Sequence, residues 1–441
     1  METIYALSSA PGRAGVAIIR ASGAGASAVY SGLAGREPAM PRAAVRVQLV
    51  HPVSGDLLDD GLALWFPAPR SYTGESVVEF HVHGGVAVIA AVLDAIGAIK
   101  GTRPAEPGEF TRRAFLAGKI DLTGAEGVID LIDAETDAQR RQALRQASGA
   151  LGAVYESWRG RLIRVLAHFE AVLDFPEEEL PESLMDQIKS NILLLRSEIS
   201  QHLDDNRRGE RLRQGVRVAI MGPPNAGKST LMNFLAARDV AIVSEIAGTT
   251  RDVIETHLDL EGMPVTVLDT AGIRESSDTI EVEGVRRALR AAEEADLRIL
   301  VLDSSKGVET GSFQDRVDAE TIVLWNKVDL GREGMTSVFD QTQNYAVSVH
   351  TGEGVDLFLE GLTGMVREML GIGAAPLLTR SRHRAALVEV RDSLDMAQSA
   401  LLPELCAEDI RLAVRALGRI TGSVDVEELL DVVFRDFCIG K

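Results

Sequence analysis

The chain has 441 residues, too many for one core, so two or three domains are expected. Its net charge of −19, from 65 acidic and 46 basic residues, argues against a protein that coats nucleic acid non-specifically. That balance still allows a local basic patch, or a partner that carries most of an RNA contact. Two cysteines, Cys406 and Cys438, give no disulfide framework and suit a reducing compartment.

The opening METIYALSSAPGRAGVAIIR has no charged start followed by a long apolar core, so no secretory signal is expected. The longest apolar-rich run, Val86 to Ile99, contains Asp94 and is too short to span a bilayer. The expectation is a soluble, cytoplasmic protein with no membrane association.

Up to about residue 118, β-type runs such as GVAIIR and SVVEFHVHGG are separated by Gly/Pro turns, APGRAG and RPAEPGEF. This is the texture of an α+β domain. His81 and His83 share one face of the second run, but no third metal ligand is near in sequence. From about Ile120 the spacing turns helical, with Leu162, Val165, Leu166, Phe169, Val172 and Leu173 on one face. Pro176 and Pro181 bracket an acidic break, after which Ile188, Ile192, Leu195 and Ile199 resume the helical period. The segment DDNRRGERLRQG reads as charged and solvated.

At Val216 the texture changes again. The runs VRVAIMG, VTVLDTAG, LRILVLD and TIVLWNK alternate with helical stretches, which predicts a parallel sheet covered by helices, ending near Gly371. Beyond it, HRAALVEVRDSLDMAQSAL and VDVEELLDVVF are amphipathic helices. The expected fold class is multidomain α+β and α/β. It comprises an N-terminal domain over 1–118, a discontinuous helical domain over 119–213 and 373–441, and an inserted α/β domain over 214–372.

The segment GPPNAGKS, Gly222 to Ser229, follows a strand and opens a helix, as a phosphate-binding loop requires. Its glycines let backbone N–H groups turn toward phosphate oxygens, and Lys228 supplies a point charge. Asn225, Ala226, Gly227, Lys228, Ser229 and Thr230 are therefore candidate nucleotide contacts, with the Ser229 hydroxyl a Mg²⁺ ligand. Asp269 ends a strand where a magnesium-associated carboxylate belongs, followed by Thr270, Ala271 and Gly272. In NKVD, Asn326 to Asp329 with Lys327 and Val328 between, the Asp329 carboxylate can accept both the ring N–H and the amine of guanine. Adenine offers no such pairing, so the nucleotide is read as GTP. Ser348, Val349 and His350 follow a further strand and are placed near the base. Ser244, Glu245, Ile246, Ala247 and Gly248 lead to the hydroxyl candidates Thr249 and Thr250 of a switch loop, with Thr250 taken beside Ser229 as the magnesium pair.

Ile273 stands where small GTPases carry a glutamine that orients the attacking water. It has no polar atom, so that group must come from elsewhere. The residues alone leave Glu275, Asp278, Glu281 and Glu283 open.

Over its whole length the chain resembles the MnmE (TrmE) family of bacterial tRNA-modifying GTPases. The resemblance rests on APGRAGVAIIR, YTGESVVEFHVHGG, RPAEPGEFTRRAFLAGKIDLTGAEGVIDLIDAET, GPPNAGKSTLMN, AGTTRD, DTAGIRESSDTIE, NKVD and the terminal FCIGK. It implies Glu281 as the water-orienting group. It implies a potassium ion in place of an arginine finger, held by Asn225, Thr249 and the carbonyls of Ser244 and Ile246 when two GTPase domains meet. Read from its type alone, Asn225 serves equally as a loop-stabilising residue. The resemblance further implies a homodimer, and a reduced folate (methylene- or formyl-tetrahydrofolate) at Arg20, Glu79, Lys119 and Lys441. Cys438 would assist the chemistry, or stand as a small structural residue. The implied partner is MnmG (GidA), which carries FAD and uses NADH, and the implied substrate is the wobble uridine of tRNA. A GTP-switched ribosome-assembly or RNA-binding protein is the alternative; it would show clustered basic residues, where this chain has an acidic balance.

Overall fold

The computed structural model describes residues 2–38, 40–174, 182–237, 241–242, 255–268, 293–306, 317–336, 342–371, 373, 376–424, 430, 433–435 and 437–440. The chain divides into two compact units. One comprises Met1–Ile129, Gln146–Arg164 and Arg411–Lys441; the other comprises Asp130–Arg145 and Val165–Ile410.

The first unit is built on β1 (Thr3–Leu7), β2 (Ala14–Ser22), β3 (Val45–Val50), β4 (Leu57–Phe66), β5 (Val77–Gly84) and β6 (Thr102–Pro104). These form a six-stranded sheet in the order β3-β4-β5-β2-β1-β6. Neighbours are antiparallel except β1 and β6. Strand period decides what each face carries. Ile19, Val78, Phe80 and Val82 point to one side and share a core with Val29 and Leu33 of α1 (Ala26–Ala34) and Val92 and Ile96 of α2 (Val86–Gly97). Arg20, Glu79 and His81 therefore fall on the opposite face. There Arg20 pairs in register with Glu79, and Ile18 with His81. Part of that face is covered by Phe110 of α3 (Glu109–Leu116), which packs with Ile4, Ala6 and Ala105. The expected RPAEPGEF turn is made by Gly108 at φ +66, but Glu109 already begins the helix.

Leu122, Ala125 and Ile129 of α4 (Leu122–Ile132) form a core with Leu430, Val433, Phe434 and Phe437. The following tail is pinned. The Gly108 amide donates to the Cys438 carbonyl at 3.4 Å, Pro107 bridges Ile439, and the Ser8 hydroxyl donates to the Gly440 carbonyl at 2.9 Å. Gly440 sits at φ +100, and a Cβ there would run into the Leu7 carbonyl oxygen, so only glycine fits this approach.

The helices that follow are α5 (Asp137–Ala147), α6 (Ala150–Asp174), α7 (Glu182–Leu203) and α8 (Arg208–Gln214). Leu162, Val165 and Phe169 of α6, and Ile188, Ile192, Leu195 and Ile199 of α7, are buried, as the helical period predicts. The acidic break between Pro176 and Pro181 lies outside the described residues.

The second unit carries β7 (Val216–Met221), α9 (Lys228–Ala237), β8 (Ala241–Ile242), β9 (Glu255–Leu260), β10 (Met263–Leu268), β11 (Leu297–Asp303), β12 (Thr321–Asn326), β13 (Gln343–Ala346) and α10 (Val355–Leu370). Its seven-stranded sheet has the order β13-β12-β11-β7-β10-β9-β8. β13 through β10 in that order are parallel, and β9 is antiparallel to β10 and β8. Alternate residues enter two cores. Val218, Ile220, Ile299, Val301, Ile322 and Leu324 face one, with Leu231, Leu235, Phe358 and Leu362 from α9 and α10. Ala219, Met221, Leu300, Leu302, Val323 and Trp325 face the other. A sheet buried on both faces reads as unbroken apolar runs, and this explains its legibility in sequence. Beyond it, α11 (Ser381–Ser399) packs on α7, with Arg196 Nε 2.8 Å from Asp395 Oδ1, and α12 (Pro403–Thr421) follows.

One expectation is corrected. The charged segment 204–215 is not simply solvated: it contains α8, in which Leu212 is buried. Arg384 binds Asp205 Oδ1 at 2.6 Å and Glu210 Oε1 at 2.9 Å. Arg213 and Arg380 converge on Asp130 Oδ1 at 2.9 and 2.7 Å, and Arg211 Nε lies 2.7 Å from Asp296 Oδ1. The charges meet partners far away in sequence, a pairing that local composition does not carry.

Candidate functional site

The central strand β7 delivers the phosphate loop at the carboxyl edge of the parallel strands, where open α/β sheets bind ligands. Gly222, Asn225 and Gly227 have φ of +141, +58 and +105, and these left-handed positions curl the loop back on itself. A Cβ on Gly222 would strike the Val301 carbonyl oxygen, and one on Gly227 would strike Asn326 Nδ2. Lys228 opens α9 and donates from Nζ to the Gly222 and Pro223 carbonyls at 3.0 and 2.9 Å. The ammonium thus arches over its own loop. Ser229 and Thr230 at the helix start are exposed, and the Ser229 hydroxyl fits a magnesium ligand.

The second wall comes from the end of β12. Asn326 is 3% exposed, and its Nδ2 donates to the Ala226 carbonyl at 2.9 Å. Its Oδ1 accepts the Val349 amide at 3.2 Å. One carboxamide therefore ties the phosphate loop to the turn after β13. Lys327, at φ +64, donates to the Asn225 carbonyl at 2.6 Å and to Asp303 Oδ2 at 2.7 Å. Val328 is buried, whereas Asp329 is exposed. Ser348 is buried: its hydroxyl accepts the Thr351 amide at 3.2 Å, so it shapes the turn that presents exposed His350. Asp303 escaped the sequence reading. The signal was there, because LRILVLD ends in an acid at a strand's carboxyl end, as VTVLD does.

Several predicted residues lie outside the described residues: Ser244, Glu245, Ile246, Ala247, Gly248, Thr249, Thr250, Asp269, Thr270, Ala271, Gly272, Ile273, Glu281 and Lys441.

A second polar constellation lies on the face of the first sheet away from α1 and α2. Arg20 Nε donates to Glu79 Oε1 at 2.8 Å. The Arg20 guanidinium stands 5.5 Å from the Tyr72 ring centre and 5.6 Å from that of Phe110, within cation–π range of both. Burial lifts the Tyr72 hydroxyl above its ordinary value, although Thr111 and Arg20 pull the other way. His81 Nε2 lies 3.8 Å from Glu79 Oε2. Lys119 is exposed, and its Cε lies 3.5 Å from where a Cβ of Gly74 would stand, beside the loop that carries Tyr72. The pinned tail passes Gly108, two residues from Phe110, and leaves Cys438 exposed. Arg20, Glu79, Lys119 and Cys438 all belong to the first unit, and of these Arg20 and Glu79 are in direct contact. His83 instead pairs with Asp59 at 2.8 Å, and among the described residues no group of three His, Cys, Asp or Glu could hold a metal.

Below this face, Glu109 is held by Arg103 at 2.6 Å and Arg113 at 2.9 Å. Burial opposes its ionisation, but Arg103, the Glu106 amide and Arg113 overcome that and hold its carboxyl at about 2. Among the described residues no helix is long and apolar enough to cross a membrane.

A glycine-built phosphate loop after a central parallel strand, faced by an N-K-x-D wall, defines a P-loop GTPase domain of the Ras-like class. Comparison with known proteins extends this to the whole chain. Residues 3–119 match the family description "GTP-binding protein TrmE N-terminus", and residues 122–438 match "MnmE helical domain". The chain is 55% identical over 446 residues to the "tRNA modification GTPase MnmE" of Parvibaculum lavamentivorans, covering 100% of both chains. It is 52% identical to the proteins of the same description from Paramagnetospirillum magneticum and Rhodospirillum rubrum, again over 100% of both chains. The chain belongs to the MnmE family of tRNA modification GTPases, and it is a GTP hydrolase with an N-terminal TrmE-type domain, a helical domain and a P-loop GTPase domain.

Proposed function

We propose that this GTPase drives, with an FAD-dependent MnmG partner that uses NADH, the placing of an aminomethyl or carboxymethylaminomethyl group on carbon five of the wobble uridine of certain tRNAs. Residues 1–118 hold the reduced folate and form the homodimer, 119–213 with 373–441 form the helical domain, and 214–372 form the GTPase. The observation that carries this reading is the Arg20–Glu79 pair, whose guanidinium lies near the Tyr72 and Phe110 rings, in the same unit as the pinned Cys438 tail.

The residues present fit a reduced folate. Arg20 binds Glu79 through Oε1, which aims the carboxylate, and Oε2 remains to accept the guanidine-like edge of a pterin. Lys119 and Lys441 supply cations for the glutamate tail. The folate brings the one-carbon unit; the chain orients it and holds Cys438 nearby. In the GTPase domain, Lys228, Ser229, Thr250 and Asp269 serve the phosphates and Mg²⁺, with Asp329 reading guanine. Asn225, Thr249 and the carbonyls of Ser244 and Ile246 hold potassium, and Glu281 orients water in place of Ile273. Neutral oxygen ligands suit a monovalent cation, and pairing of two GTPase domains would make hydrolysis a timed switch. The setting is cytoplasmic, where charged tRNA and the reducing pool that keeps both thiols free are found.

The test is mass spectrometry of wobble nucleosides from tRNA incubated with the chain, its FAD partner, reduced folate and GTP, in potassium or in sodium. Modified uridine in potassium, and its loss with Glu281→Ala, is expected. Full modification by a variant unable to cleave GTP would break the proposed coupling. Equal GTP turnover in sodium and potassium would remove the cation assignment.

A further inference from the structure

We propose that Asp303 is a positioning residue of the guanine-nucleotide site, acting through Lys327 on the base wall and the phosphate loop together. Asp303 ends β11, the strand between those that carry the phosphate loop and the N-K-x-D wall, and it stands in register with Asn326. It is 8% exposed, and both of its oxygens are engaged. Oδ2 accepts Lys327 Nζ at 2.7 Å; Oδ1 accepts the Ser305 amide at 3.1 Å and the Ser305 hydroxyl at 2.7 Å. The same Lys327 ammonium reaches the Asn225 carbonyl at 2.6 Å.

A lysine head on a four-carbon stem samples many positions unless something fixes it. Here the Asp303 carboxylate, itself oriented by Ser305, fixes it. Burial resists ionisation of Asp303, yet Lys327 and Ser305 hold its carboxyl below the usual carboxylate range, so the charge that fixes Lys327 persists at neutral pH. Lys327 and Asn225 both sit at left-handed backbone angles, φ +64 and +58, which are uncommon for residues other than glycine. Holding Lys327 therefore holds the Asn225 carbonyl and the loop conformation around it. Loss of the Asp303 charge loosens base wall and phosphate loop at once. Both matter to binding of GDP and GTP alike, so the effect falls on affinity more than on the chemical step.

The test measures the Kd of a fluorescent GDP and the KM and kcat for GTP with Asp303→Asn, Lys327→Met and the double variant. Asp303→Asn should raise Kd and KM about tenfold, the scale of one charge-assisted hydrogen bond. In the Lys327→Met background it should add less than about twofold, because its route of action is already gone. Native-like Kd for Asp303→Asn, a fall in kcat at constant KM, or multiplying losses in the double variant would each overturn the proposal. If Asp303→Asn does not fold, Ser305→Ala keeps the carboxylate but frees one bond to Oδ1. It should weaken GDP binding about threefold in the native background and not with Lys327→Met. No loss, or equal losses in both backgrounds, overturns the proposal.

Discussion

The two sheets solve the same burial problem in opposite ways. The sheet of the second unit is apolar on both faces, so its chemistry is confined to the loops at the strands' carboxyl ends. The sheet of the first unit buries one face under α1 and α2 and carries Arg20, Glu79 and His81 on the other, within the strands themselves. A loop site is read from spaced motifs. A face site is read only once strand register is known, because single charged residues on strands look like ordinary surface.

The largest expected effect separates the two sites. Lys228→Ala should lower GTP turnover by about a hundredfold or more, through loss of phosphate charge stabilisation, in a phosphate-release assay. Binding of 5-formyl-tetrahydrofolate to the same variant should stay native. A joint loss would mean that the sites are not independent. Next, Glu79→Ala should weaken 5-formyl-tetrahydrofolate binding about tenfold or more, by calorimetry, and leave the kcat/KM for GTP within about twofold.

A smaller effect concerns the support beneath the polar face. Glu109 is held at about 2 against an ordinary 4.5, so its carboxylate is favoured in the folded state. A lowered folded value means that its stabilisation is complete above 4.5 and lost as pH falls toward about 2. Circular dichroism should show the melting temperature falling through that window, and Glu109→Gln should flatten the slope there. Smallest is a labelling difference. Cys438 is exposed, whereas Cys406 is buried and its thiol is pushed up to about 11 by burial and by Asp409. Brief iodoacetamide treatment at neutral pH should alkylate Cys438 first, as read by peptide mass spectrometry. Prior labelling of Cys406 would place the tail differently.

Much of the second unit was legible because β10 and β12 are buried along their whole length, and the loop after β7 carries a spaced signature. Asn326, Lys327 and Asp329 were singled out for the same reason. Asp303 was missed because its partner lies one strand over, a relation set by the order β12-β11-β7. The segment 204–215 was misread because Asp205, Glu210, Arg211 and Arg213 look solvated until Arg384, Asp130 and Asp296 are brought to them. Arg20 and Glu79 came to notice through family resemblance; the structure adds the two aromatic rings near the guanidinium, which no spacing foretells.

The pinned tail bears on the order in which the protein is finished during synthesis. Leu122, Ala125 and Ile129 leave the ribosome some three hundred residues before Leu430, Val433, Phe434 and Phe437, the side chains that cover them. Ser8 likewise waits for Gly440. The GTPase sheet, drawn from 216–346, has all its strands by then. The piece born first is thus closed last, and a chain released early would carry a complete nucleotide sheet and an uncovered apolar patch.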